Sequence, residues 1–201
     1  MGVYKGSGSL TREQFLFHET RIVAKLMTDD KLDDLDIIER VISDNLFQFP
    51  TERMIKNIAS VCLKRLHSLN DKTLIEAVAH ESSEVAKQIC LYSIMKCNRL
   101  LYEFMVTVIG SKYATKDYSF GNIDLNVFFM RLQEQDDDVA GWSDSTIKKI
   151  KQVIRRILVE TEYIDDTKTD HLNLVWLNPI LEDALEEKGE TEVLKSFNYF
   201  L

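Results

Sequence analysis

WSDSTIKKIKQVIRRIL (residues 142–158) decides the fold, because two patterns run through it at once. On a 3.6-residue period Ile147, Ile150, Val153, Ile154, Ile157 and Leu158 fall on one side, while Lys148, Lys149, Lys151, Gln152, Arg155 and Arg156 share the other. Ser143 or Asp144 caps the start by accepting from free N–H groups of the first turn, and Asp144 also sits at the positive end of the dipole. The stretch is therefore a well-specified amphipathic helix. It is also out of keeping with its chain, which has 25 Lys+Arg against 33 Asp+Glu and a formal net charge of −8. Between Asp144 and Glu160 there is no acidic residue and there are five basic ones. A solvated face and an anion-binding face share this pattern, so the neighbouring segments must distinguish them.

After the basic helix, EYI and HLNLVWL read as two short β segments around the polar turn DDTKTD, and NPILEDALEEKG is a closing helix with Pro179 at its start. Before it lie the helical stretch IDLNVFFMRLQEQ and an acidic loop, EQDDDVAG. Helix, helix, basic helix, strand, loop, strand is the order of a winged helix-turn-helix, in which the basic helix enters the major groove and the hairpin is the wing. Ser145, Lys148, Lys149 and Gln152 are then expected nearest the bases, and Lys151, Arg155 and Arg156 nearest phosphates. The expected wing carries Asp165, Asp166 and Asp170 against Lys168, so it should stay off the DNA.

The remainder is helical too. LTREQFLFHETRIVAKLM and LDDLDIIERVISDNLF show apolar residues at three- and four-residue intervals, and TERMIKNIASVCLKRL restarts the pattern after Phe49 and Pro50, with Thr51 as N-cap. NDKTLIEAVAH follows, opened by Asn70 or Asp71, and then SSEVAKQICLYSIMKCNRLLYEFMVTVIG as one long core helix opened by Ser82 and Ser83. Seven Gly and two Pro leave little room for turn-rich β architecture. The expectation is a mainly α fold: residues 1–115 as a helical domain with a helix-turn-helix-like unit, and 116–201 as a small winged-helix-like domain with a short β-hairpin.

An internal echo runs through the chain. Residues 51–66 set over 143–158 pair Ile55 with Ile147, Lys56 with Lys148, Ile58 with Ile150, Val61 with Val153, Lys64 with Arg156 and Leu66 with Leu158. Amphipathic helices align by chance to this degree; the other account is two helix-turn-helix-like units, with Arg53, Lys56, Lys64 and Arg65 as the basic groups of the first. Trp142, Trp176, Phe128 and Phe129 are expected in the C-terminal core, and Arg99 is expected to reach solvent or pair with Glu103.

Several function classes lose support. His18, His67, His80 and His171 show no ligand-like spacing to the cysteines, and no Gly-rich phosphate loop, nucleophile elbow or HExxH motif occurs, so neither catalysis, cofactor, metal nor small-molecule substrate is expected. The acidic clusters, Asp136 to Asp138 among them, are expected to be solvated loop charge. Cys62, Cys90 and Cys97 are an odd set on apolar faces and should be buried free thiols of a reducing cytoplasm. No apolar h-region follows MGVYKGSGSL, and the most apolar stretch is interrupted by Lys96, Arg99 and Glu103, so neither secretion nor a membrane span is expected.

GSGSLTREQFLFHETRIVAKL near the start, SSEVAKQICLYSIMKCNRLLYEFM in the centre and WSDSTIKKIKQVIRRIL toward the end, in that order, resemble the BrxA family of BREX bacteriophage-resistance systems. The resemblance implies a cytoplasmic, non-catalytic helical protein with helix-turn-helix elements. It further implies binding to double-stranded DNA, beside BREX partners that include a methyltransferase, an ATPase and a phosphatase-like protein. It assigns no individual DNA contact. Two alternatives stay open: a protein-interaction adaptor whose acidic segments, LEDALEEKGETE included, dock a basic partner, and an RNA-binding helical protein.

Overall fold

The computed structural model describes Tyr4 and residues 7–198; the rest of MGVYKG and residues 199–201 lie outside the described residues. The chain divides into two compact units, Phe15–Cys97 and a second made of Met1–Gln14 with Asn98–Leu201.

In the first unit the helices are α1 (Phe17–Thr28), α2 (Asp34–Ser43), α3 (Glu52–Leu69), α4 (Lys72–His80) and α5 (Ser83–Cys97). Their starts follow from local chemistry: the Asp33, Thr51 and Asp71 side chains accept from the free N–H groups of α2, α3 and α4. α1 packs on α3 and α4, and α5 packs on α3 and α4, so α5 buries Val85, Ala86, Ile89, Cys90, Leu91, Tyr92, Ile94 and Met95 all around its axis. Polar links tie the surface of the bundle. Asp34 of α2 lies 2.8 Å from His67 Nε2 of α3, and Arg21 of α1 donates to the carbonyls of Ala79 and Glu81 at the end of α4.

The long core helix expected across residues 82–110 is broken at Asn98, whose backbone is extended and whose side chain accepts from Leu101 N. An N-cap inside an unbroken apolar pattern starts a new helix, and the unit boundary falls there instead of at 115/116, where the sequence places it.

The second unit begins with a 3-10 turn (Ser7–Thr11) that packs on α6 and α10, and continues with α6 (Arg99–Phe104), a π-helical turn (Met105–Ile109) and α7 (Gly110–Thr115). Arg99 pairs with Glu103 at 2.6 Å, as expected from their spacing. Gly110 is needed because a Cβ there would stand 2.9 Å from the Lys195 carbonyl oxygen. Then come α8 (Asn122–Gln135), α9 (Asp137–Ala140), α10 (Asp144–Glu160), α11 (Pro179–Glu187) and α12 (Thr191–Leu194). Phe104, Phe120, Phe128 and Phe129 form edge-to-face pairs in the core, and the Tyr113 and Tyr163 hydroxyls donate to the Asn173 and Ser196 carbonyls. Trp142 is half-buried and Trp176 is 66% exposed, so the expected place of Trp176 in the core is corrected.

Among the described residues, no β-hairpin forms where the sequence predicts one. α10 ends in a turn that reverses the chain: Glu162 N donates to Val159 O, Tyr163 N donates to Leu158 O, and Glu162 takes φ 66°. A left-handed residue at the expected start of the strand prevents regular pairing. Asn173 N still donates to Tyr163 O, while Ser119 and His171 form an isolated antiparallel bridge, with Phe120 N on Asp170 O and Leu172 N on Tyr118 O. The segment before α8 thus pairs with the strand-like residues that the sequence assigns to the wing. Mainly α is correct for the class.

Candidate nucleic-acid interface

α10 is positioned by its own sequence. Ser143 caps it, its hydroxyl accepting from Thr146 N at 3.2 Å, and Ile147, Ile150, Val153, Ile154, Ile157 and Leu158 are all buried. Anchoring these six residues leaves the opposite face no freedom of choice: Ser145, Lys148, Lys149, Gln152 and Arg156 are exposed. No hydrogen bond or ion pair holds Lys148, Lys149 or Arg156 among the described residues. Other cations of the same unit are paired, Lys195 with Glu192 and Lys112 with Asp117 and Asp124. Three unpaired cations on one helix face make a surface of positive potential on an acidic protein.

Lys151 and Arg155 have another placement. Lys151 Nζ donates to Asn126 Oδ1 at 2.8 Å and lies 5.3 Å from the centre of the Phe129 ring. Burial against α8 pushes its pKa down. Arg155 donates to the carbonyls of Thr167 and Thr169 at 3.1 and 3.3 Å and to Asn122 Oδ1 at 3.3 Å, with its guanidinium over Phe120 at 5.2 Å. Both cations join α10 to its neighbours, where the sequence predicts phosphate contacts.

Between α8 and α10 runs a cleft of about 500 Å³, lined by Asn122, Asn126, Phe129, Met130 and Gln133 on one side and Asp144, Ile147, Lys148, Lys151, Gln152 and Arg155 on the other, so the Asp144 carboxylate stands at the end of its cationic wall. The α8 wall is not foreseen in the sequence. Its signal is the run of carboxamides Asn122, Asn126 and Gln133 at helical spacing.

In the first unit Arg53, Lys56 and Lys64 are exposed on α3. Arg65 is 2% exposed and its Nη1 donates to the Phe15 carbonyl at 2.9 Å, so it is a core arginine and not a surface cation. Cys62 and Cys90 are buried and Cys97 half-buried, and all three are free.

Comparison with known proteins agrees with the resemblance in the sequence. The family model BrxA matches residues 5–189. A protein of Bacillus cereus (strain H3081.97) described as BREX protein BrxA is 39% identical over 166 residues, 83% of this chain and 81% of that one. Proteins of the same description from Escherichia coli O9:H4 (strain HS) and Paramagnetospirillum magneticum (strain ATCC 700264 / AMB-1) are 24% and 26% identical, across 93% and 94% of this chain and 87% and 92% of theirs. The crystal structure of an uncharacterized protein from Magnetospirillum magneticum superposes with a TM-score of 0.79 at 22% identity, covering 96% of this chain and 98% of the other, which extends the likeness to the fold. With the family pattern matched through both units, the chain belongs to the BrxA family.

Proposed function

We propose that this BrxA-family chain is a non-catalytic, cytoplasmic accessory protein of a BREX bacteriophage-defence system and that it binds double-stranded DNA through α10. The observation that carries the proposal is the unpaired state of Lys148, Lys149 and Arg156 on a helix whose apolar side is wholly buried. Among the described residues no helix is long and apolar enough to cross a membrane, which is compatible with that location.

In this account α8, α9 and α10 act as a helix-turn-helix, with α10 in the major groove and Ser145, Lys148 and Gln152 toward base edges. Lys149 and Arg156 flank them toward phosphates. The pairing of residues 118–120 with 170–172 supports a reduced winged-helix arrangement. The loop that stands in place of the expected wing is tied to α10 by Arg155, presents Asp165, Asp166 and Asp170 and avoids the duplex.

Two cations placed on phosphates, each releasing counterions, give a logarithmic salt slope of roughly −1.8, so affinity should fall about 12-fold between 50 and 200 mM salt. Titrating duplex DNA, single-stranded DNA and structured RNA at several salt concentrations tests the proposal. Preference for RNA would replace the DNA reading, and no binding at low salt would remove it. Reversing Arg53, Lys56 and Lys64 to Glu asks whether α3 is a second DNA-binding element: loss of binding assigns it one, and unchanged binding leaves α3 as plain surface.

A protein-interaction adaptor is the second reading. Trp176 and Leu174 are 66% and 47% exposed in a stretch flanked by Asp165, Asp166, Asp170, Asp183, Glu186 and Glu187, a surface suited to a basic protein partner such as another BREX component.

A further inference from the structure

We propose that Asn122 and Asn126 of α8 form a second, uncharged phosphate-binding wall, in which two inward-turned cations of α10 aim carboxamide N–H donors at the DNA backbone. The inference rests on the DNA-binding reading above and adds to it a site on a different helix. Lys151 Nζ lies 2.8 Å from the Asn126 carboxamide, and Arg155 Nη2 lies 3.3 Å from that of Asn122. Lysine and arginine side chains have donors only, so the amide atom facing each cation must be the oxygen. The NH2 group of each asparagine is thereby turned away from the cation. Both asparagines are exposed and both line the cleft that Lys148 and Gln152 also line.

The arrangement polarises the amides. An oxygen that accepts from a cation makes its own NH2 a stronger donor, and such chains of hydrogen bonds reinforce one another. Phosphate oxygens accept from Asn and Gln side chains as well as from cations in duplex recognition. The desolvation of Lys151 fits its role, since it meets Asn126 and Phe129 rather than bulk water. Neutral donors hold a phosphate without releasing a counterion of their own, which separates this wall from the cationic face in an experiment.

The test uses the full chain, a mixed-sequence duplex and anisotropy titrations across a salt series. Asn122→Ala with Asn126→Ala should weaken binding by about tenfold at every salt concentration, leaving the salt slope unchanged. Asn122→Asp with Asn126→Asp keeps an acceptor for each cation, so the fold is retained, and should weaken binding further because carboxylates face the phosphates. Thermal unfolding of both pairs checks folding, and the aspartate pair decides the matter should the alanines destabilise the helix. Wild-type affinity in both pairs, while Lys148→Glu/Lys149→Glu/Arg156→Glu loses binding, overturns this inference and leaves the DNA-binding reading standing. Wild-type affinity in that triple variant overturns the two together.

Discussion

Arg155 and Arg156 are sequence neighbours that the structure places in opposite roles, and replacing each with Ala separates them. Arg155→Ala removes donors to the Thr167 and Thr169 carbonyls at 3.1 and 3.3 Å, one to Asn122 at 3.3 Å, and a cation placed 5.2 Å from the Phe120 ring. Hydrogen bonds from a charged donor contribute about 1.5–3 kcal/mol each at best, but these are long, half-exposed and open to replacement by water. Allowing a few tenths for each, with about 0.5–1 kcal/mol for the cation–π contact, the net loss is about 2 kcal/mol. At this chain length that lowers the melting temperature by roughly 4–8 °C. Arg156→Ala touches no partner among the described residues and should stay within about 0.5 kcal/mol of wild type. In DNA titration the order reverses: Arg156→Ala loses one phosphate contact and flattens the salt slope by about 0.9, while Arg155→Ala keeps the slope once folded. Circular dichroism melts and anisotropy titrations on the two variants suffice. Equal melting temperatures with equal loss of DNA affinity would refute the internal role of Arg155.

Three further outcomes follow from other parts of the fold. Lys116 ends α7 at φ 55°, with its N–H on Tyr113 O and that of Asp117 on Lys112 O, so Lys116→Gly should relieve left-handed strain and raise stability by about 0.5–1 kcal/mol, read from urea midpoints; a lower midpoint contradicts it. Burial pushes the Cys62 and Cys90 thiols up to about 11 and about 12, so in the native protein an aromatic disulfide reagent at pH 8 should label Cys97 fast and the other two only on unfolding; fast labelling of all three contradicts the packing of the first unit. The Ser119 hydroxyl, followed by the Lys112 ammonium, holds the Asp117 carboxyl at about 2, below its ordinary 3.8. A depressed carboxyl contributes stability that is complete above the ordinary value and is lost as pH falls toward the folded one, so Asp117→Asn should remove part of the stability decline between about pH 4 and pH 2. Parallel wild-type and variant curves there would show that the carboxylate has no such role.

Much of this structure is legible in the residues because local chemistry decides it. Ser143, Thr51 and Asp71 cap the helices they precede, and the six residues read as the apolar face of α10 are the six that are buried. The break at Asn98 is not legible in the hydrophobic pattern, since Leu100, Leu101 and Phe104 continue it; only a polar cap breaks the helix. The β-hairpin fails because two influences act from outside its own sequence. Glu162 adopts a left-handed turn that finishes α10, and residues 170–172 pair with 118–120, some fifty positions earlier. The basic face is visible as a pattern, but which cations turn inward depends on Asn122, Asn126 and the carbonyls of Thr167 and Thr169, tertiary partners that periodicity does not name. The exposure of Trp176 has the same origin: an extended segment offers its alternate side chains to solvent, and the apolar character of Trp alone does not choose the side.

The most direct test of the central claim is a duplex-DNA titration of wild type beside Lys148→Glu/Lys149→Glu/Arg156→Glu, run from low to physiological salt with melting curves in parallel. The account predicts wild-type binding that weakens about 12-fold between 50 and 200 mM salt, and a triple variant that melts like wild type but binds no DNA. A folded triple variant with unchanged DNA affinity would contradict it and make α10 a surface for a protein partner.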